Sequence, residues 1–370
     1  MTSSPTPVET RLRAEVAARR LEADRAQLDA ALRLDRLSAS LHDASQSVGT
    51  RLRTHLSWLP PSSADAPRGL YLWGGVGRGK TMLMDWFYAS LRVPRRERAH
   101  YYRFMRDVHA QLRAGRRRTQ PLDGVAQQLA RHARVICLDE FFVADIADAM
   151  ILAGLFAGLF RRGVTLVATS NMPPEDLYQD GLQRERFVPA IELIRSHVDV
   201  LHLDGGIDYR LRQLEQAPTY LDSGLERSRA QMQARFAALA GGSATGPRML
   251  SIEERNIAAL ATGAGMAWFE FSELCAGPRS QNDYIELARS YHTIFIADIP
   301  VFTVEDEDVA RRFIMLIDEF YDRGVKIVVS AAAAPSALYR GERLQMEFQR
   351  AASRLVEMQT QHYLASQHRP

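Results

Sequence analysis

The sequence has almost no cysteine: only Cys137 and Cys275 occur among 370 residues, and both stand in apolar surroundings. That excludes a disulfide framework and fits reduced thiols that fill a core. No apolar run approaches the roughly 20 residues needed to span a bilayer, and Met1–Pro7 is polar where a secretory leader carries an apolar stretch. Charge of one sign is also lacking, because 47 Lys and Arg face 44 Asp and Glu for a formal net charge of +3 at pH 7. This balance speaks against a dedicated nucleic-acid binder. Residues 8–35 are rich in arginine, yet Glu9, Glu15, Glu22, Asp24, Asp29 and Asp35 interrupt them, which a transit peptide would not tolerate. The absences together predict a cytoplasmic protein. At 370 residues the chain is too long for a single core, so two lobes or a core with large appendages are expected.

What the chain does contain is a glycine-rich turn behind an apolar strand, Leu70-Tyr71-Leu72-Trp73 followed by Gly74-Gly75-Val76-Gly77-Arg78-Gly79-Lys80-Thr81. The pattern G-x-x-x-x-G-K-[ST] is that of a phosphate-binding loop. Its glycines let consecutive N–H groups approach an anion, and the run Met82–Tyr88 behind it has helical character, so the phosphates would also meet a helix N-terminus. Gly74, Gly75, Val76, Gly77, Arg78, Gly79, Lys80 and Thr81 are thus the expected ATP-binding residues. Lys80 would reach the β- and γ-phosphates, and the Thr81 hydroxyl would hold Mg2+.

Farther along, Val135-Ile136-Cys137-Leu138 reads as a buried parallel strand that ends in Asp139 and Glu140. Asp139 suits Mg2+ coordination, and Glu140 can polarise the water that attacks the γ-phosphate, which favours hydrolysis over binding alone. A helix over about Asp145–Arg162 leads to a further strand, Val164–Ser170, which ends at Asn171. Asn171 would orient the attacking water if this strand lies between the other two; the alternative is a turn residue ahead of Met172-Pro173-Pro174. Arg184 and Arg186 are placed to reach the nucleotide of a neighbouring copy, which implies a homo-oligomer; the alternative is a surface ion pair with Glu185.

The expected organisation is an N-terminal helical segment over 1–66, an ATPase core over 67–212, a helical linker over 213–249 and a second α/β lobe over 250–370 that lacks a P-loop. The fold class is α/β, a parallel P-loop NTPase sheet of AAA+-like type. Apolar positions from Val8 to about Leu41 predict one long helix or two, with either a solvated face or a face for a partner or the membrane surface. Residues 60–67 read as a loop, and Ala99–Met105 as a strand. The runs Arg95-Arg96 and Arg116-Arg117-Arg118 are either polyanion contacts or solvated turns. In the second half, Ile294–Ile299, a helix, and Arg323–Ser330 echo the order of the first, with Ile299 and Ala332 where Glu140 and Asn171 stand. A flexible stretch, Gly241-Gly242-Ser243, precedes that lobe, and one helix over about Glu342–Ala365 is expected to close it.

Gly69–Thr81, Leu138-Asp139-Glu140-Phe141-Phe142-Val143-Ala144-Asp145-Ile146-Ala147-Asp148-Ala149-Met150-Ile151-Leu152 and Thr169-Ser170-Asn171-Met172-Pro173-Pro174 resemble the ZapE family of cell-division ATPases, which has mitochondrial relatives. The resemblance extends through Asp180–Ile191 and Phe348–Met358. It implies an AAA+-like ATPase of the bacterial division machinery that acts on polymers of FtsZ. It also implies Lys80 and Thr81 as phosphate and magnesium contacts, Asp139 and Glu140 as the acid pair, and Asn171 as the sensor. On the residues alone, a nucleic-acid-stimulated motor and an ATP-gated scaffold stay open beside it.

Overall fold

Short apolar runs supply the central strands Gly69–Trp73, Val135–Asp139, Thr165–Ser170, Met266–Glu270, Thr293–Ile299 and Lys326–Ala331, which are buried along most of their length as strands covered on both faces are. The computed structural model describes residues 6–18, 24–46, 66–75, 77–115, 120–143, 145–204, 214, 218–223, 227–240, 244–252, 255–263, 265–366 and 368–369. The chain forms two units, Met1–Gly206 and Ile207–Pro370. Val76 and residues 60–65, 116–118 and 241–243, which carry expectations stated above, lie outside the described residues.

In the first unit, α1 (Val8–Ala17) and α2 (Arg25–Gln46) precede β1 (Gly69–Trp73), α3 (Lys80–Ser90) and β2 (Arg96–His100). Then follow α4 (Tyr101–Ala114), α5 (Pro121–His132), β3 (Val135–Asp139), α6 (Ile146–Arg161), β4 (Thr165–Ser170), α7 (Val188–His197) and β5 (Val198–His202). The sheet is parallel throughout and ordered β2-β3-β4-β1-β5, so β4 does lie between the P-loop strand and the acid strand. Asp145 caps α6, its carboxylate accepting the Ala147 N–H at 2.6 Å. The expected strand at Ala99–Met105 is corrected: the strand ends at His100, and Tyr101, Phe104, Met105 and Val108 form the buried face of α4 at helical spacing. The two N-terminal helices lie on α3, where Val8, Leu12, Ala31 and Leu34 share one buried cluster with Leu83, Met84 and Phe87.

The second unit contains β6 (Tyr220–Asp222), α8 (Arg227–Ala240), the hairpin β7 (Arg248–Ile252) and β8 (Arg255–Ala259), β9 (Ala261–Gly263) and β10 (Met266–Glu270). It continues with α9 (Phe271–Cys275), α10 (Gln281–Ser290), β11 (Thr293–Ile299), α11 (Glu307–Asp322), β12 (Lys326–Ala331), α12 (Gln345–Glu357) and α13 (Gln361–Ala365). Its main sheet is ordered β6-β12-β11-β10-β9 and is parallel except for β9. The stretch 213–249, expected as a linker, supplies β6 and α8 to this unit. The closing helix is broken at Met358–Thr360, where Thr360 accepts the Tyr363 N–H and starts α13 anew.

The two units repeat one topology. Strand order β2-β3-β4-β1 in the first matches β10-β11-β12-β6 in the second. The registers also match, since Val135 pairs with Thr165 as Thr293 pairs with Lys326, each two residues after a glycine with positive φ, Gly163 or Gly324. Glu140 and Asp298 each adopt a left-handed conformation, φ 54° and 61°, and each donates its N–H to a hydroxyl, that of Thr169 or Ser330. The Tyr71 and Tyr220 hydroxyls donate in turn to the carbonyls of Met172 and Ala333. This register corrects the sequence pairing: the counterpart of Glu140 is Asp298, not Ile299, because the left-handed turn rather than the aspartate marks the strand end.

Candidate active site

The phosphate-binding loop leaves β1 through Gly74 and enters α3 at Lys80. Gly77 and Gly79 have φ of 78° and 79°, a conformation that costs a side-chain-bearing residue about 1–2 kcal/mol. A Cβ on Gly74 would lie 2.6 Å from the Leu203 carbonyl oxygen, so the loop also needs glycine for close approach. The Lys80 ammonium turns back onto the loop and donates to the carbonyls of Gly74 and Gly75, both at 2.6 Å. From the other side α2 touches the loop, with Gln27 Nε2 donating to the Arg78 carbonyl at 3.2 Å. Thr81 follows in the first turn of α3.

Asp139 and Glu140 stand at the C-terminal end of β3, and Asn171 follows the last residue of the neighbouring β4. The backbone around Glu140 is tied to β4: Glu140 N–H donates to Thr169 Oγ1 at 3.1 Å, Phe141 N–H to the Thr169 carbonyl at 2.7 Å, and Ser170 Oγ to the Phe141 carbonyl at 2.8 Å. These bonds hold the left-handed turn that takes Glu140 off the line of the strand. Parallel α/β sheets place ligand sites at such C-terminal ends.

Asp139, the candidate metal carboxylate, has a partner that the sequence did not disclose. Arg98 on β2 donates through Nε to Asp139 Oδ2 at 2.7 Å and lies 2.5 Å from Asp85 Oδ1 on α3. Burial works against the Arg98 charge, but the two carboxylates more than offset it and hold the guanidinium above its ordinary value. The second oxygen, Asp139 Oδ1, is buried with no hydrogen-bond partner among the described residues. A hydrated divalent cation would satisfy it, so the donor set of Thr81 and Asp139 fits Mg2+.

The candidate arginines lie in the segment between β4 and α7. Arg184 donates to the Glu175 carbonyl and Arg186 is exposed, both in a short 3-10 turn, Arg184–Arg186; neither forms the ion pair with Glu185 that is the alternative reading. Cys137 and Cys275 are fully buried; burial raises both thiols, Cys275 to about 12, which keeps them protonated core residues. Among the described residues no helix is long and apolar enough to cross a membrane.

Residues 6–367 match the AFG1-like ATPase family. The cell division protein ZapE of Escherichia coli is 51% identical over 301 residues, which cover 81% of this chain and 80% of that protein. Lactation elevated protein 1 homolog B of Danio rerio is 39% identical over 352 residues, 82% of this chain and 70% of its own length. Among solved structures, that of DnaI covers 50% of this chain and 85% of its own at 17% identity and a TM-score of 0.34, a likeness too distant to bear on function.

Proposed function

Because this chain belongs to the AFG1-like ATPase family, we propose that it hydrolyses Mg2+-ATP and couples the turnover to remodelling a protein of the division machinery, FtsZ polymers in the first instance. The observation that carries the chemical part is the gathering of Lys80, Asp139, Glu140 and Asn171 at the C-terminal ends of three adjacent parallel strands. Lys80 would exchange its two loop carbonyls for phosphate oxygens, while the loop N–H groups hold the rest of the triphosphate. Thr81 and Asp139 would hold the magnesium ion, which supplies neutralisation of phosphate charge when bound. Glu140 would accept hydrogen bonding from the attacking water and Asn171 would fix its line of approach. Catalysis of this kind is chiefly positioning and charge stabilisation. An arginine from a neighbouring copy, Arg184 or Arg186, completes the scheme.

Steady-state ATPase assays on the wild type, Lys80→Ala and Glu140→Gln test it, each with and without assembled FtsZ or single-stranded DNA. Lys80→Ala should lose nucleotide binding, and Glu140→Gln should bind ATP while turnover falls at least about 100-fold, the lower end of the range for a general base. Stimulation by FtsZ, absent in Glu140→Gln, supports the coupling; stimulation by DNA alone replaces the partner. Unchanged turnover in both variants would remove the ATPase assignment.

A further inference from the structure

Arg98 joins two acidic side chains beside the phosphate-binding loop, Asp139 at the end of the acid strand and Asp85 on the helix that begins with Lys80 and Thr81. The Asp139 side chain is 5% exposed and that of Arg98 20%. A bridge this buried is costly to desolvate, and apolar residues in its place are often as stable or more so. The fold therefore gives no reason of its own for the bridge. The second unit shows the same topology without it.

Strand register equates Arg98 with Trp268 and Asp139 with Ala297: Arg98 pairs with Cys137 and Trp268 with Phe295, each three residues before the left-handed residue of its strand. Counting fourteen residues on from the matched tyrosines, Tyr71 and Tyr220, equates Asp85 with Ala234. The helix register agrees, since Leu83 and Phe87 on α3 and their counterparts Met232 and Phe236 on α8 are all buried. In place of the ionic bridge, Trp268, Phe236 and Phe295 form an aromatic cluster with ring centroids 5.2–6.4 Å apart. The same unit has Ala230 where the first has Thr81, and Ala332 where it has Asn171. The bridge, Thr81 and Asn171 are present together in one unit and replaced together in the other, which keeps an acid, Asp298, only at the Glu140 position.

We propose that Arg98 is a positioning residue for the metal carboxylate: it holds Asp139 Oδ2 and braces it against α3, leaving Oδ1 to serve the hydrated magnesium ion. This rests on the ATPase reading above and adds to it a residue that touches neither nucleotide nor metal. Two observations carry it beyond the ion pair itself. Asp139 Oδ1 is buried and has no hydrogen-bond partner among the described residues, and the duplicate topology has exchanged all three members of the bridge for apolar residues. Arginine suits the task because its planar fork can hold two carboxylates at once, which an ammonium does less well.

The test uses the full chain as wild type, Arg98→Lys and Arg98→Met, with Asp85→Ala/Arg98→Met as the variant that removes the carboxylate repulsion if Arg98→Met does not fold. Binding of a fluorescent ATP analogue is measured in EDTA, and Mn2+ binding to the ATP-loaded protein is followed by electron paramagnetic resonance. Loss of a group that orients a metal ligand costs roughly 10- to 100-fold in metal affinity. The methionine variants should show that loss with metal-free nucleotide binding unchanged, and Arg98→Lys should fall between them and the wild type. Equal Mn2+ affinity in wild type and variants overturns the proposal, as does a parallel loss of metal-free nucleotide binding, which marks a merely structural residue. A wild type that binds no nucleotide in either condition would instead overturn the ATPase reading on which it rests.

Discussion

At the scale of single residues, the site is held by backbone conformations that its side chains do not favour. Glu140 sits at φ 54°, where a residue with a Cβ pays about 1–2 kcal/mol relative to glycine. The turn persists because Thr169 accepts the Glu140 N–H and its carbonyl accepts that of Phe141. Glu140→Gly should therefore abolish hydrolysis while raising stability by up to about 1 kcal/mol, the strain relieved less the entropy that glycine loses on folding. Urea midpoints and ATPase rates on the same preparations check this, and a destabilised Glu140→Gly would show that the turn is not strained. The acid pair itself was legible in the sequence, because an apolar strand ending in two carboxylates behind a P-loop is a local pattern. The turn was not legible: it depends on a hydroxyl 29 residues away.

Among elements, the α1–α2 pair is part of the ATPase unit and not an appendage. Leu34 is fully buried against the P-loop helix, so Leu34→Ala should cost about 2–5 kcal/mol, read as a lowered urea midpoint. The helical spacing of 8–41 announced these helices, but not which surface they cover, since amphipathicity names a face and never its partner. The edge strand β2 was harder still. Arg96-Glu97-Arg98 reads as a charged run, and Arg98 finds Asp139 41 residues away only once β2 and β3 are paired. Helices α5 and α6 offer an electrostatic test. Asp123 on α5 accepts hydrogen bonds from Arg162, just past α6, and from Arg161, and these hold its carboxyl below the ordinary 3.8. A lowered acid pKa contributes stability above its unfolded value and loses it as pH falls through the folded one. The wild type should then exceed Asp123→Asn by under about 1 kcal/mol at pH 7, because the pair is partly exposed. The difference should shrink as the pH drops below 3.8, measured by denaturation at each pH.

On the scale of the whole chain, one topology serves twice with unequal chemistry. In the second unit Arg229 stands where the first has Lys80, nine residues beyond the matched tyrosine, and it is paired with Glu270 and with Asp298, the latter at 3.2 Å. Its charge is already met by protein carboxylates, and Gly77 and Gly79 have become Glu226 and Ser228. Titration calorimetry should find one nucleotide per chain, and none in Lys80→Ala. A second equivalent would show that the second unit binds as well. The parallel register of each sheet was only half visible in the sequence, because similar residue types, Asp139 and Asp298, invited an alignment that the backbone turn shifts by one. The repeat also has a consequence for how the protein is made. Two sheets of like order on one chain could exchange strands, a characteristic misassembly of repeated domains, and parallel sheets pair slowly. Residues 1–206 leave the ribosome before the second unit, whose 164 residues (207–370) take roughly 8–33 s to make at about 5–20 residues per second. Order of synthesis gives the first sheet time to close before the strands of the second are made.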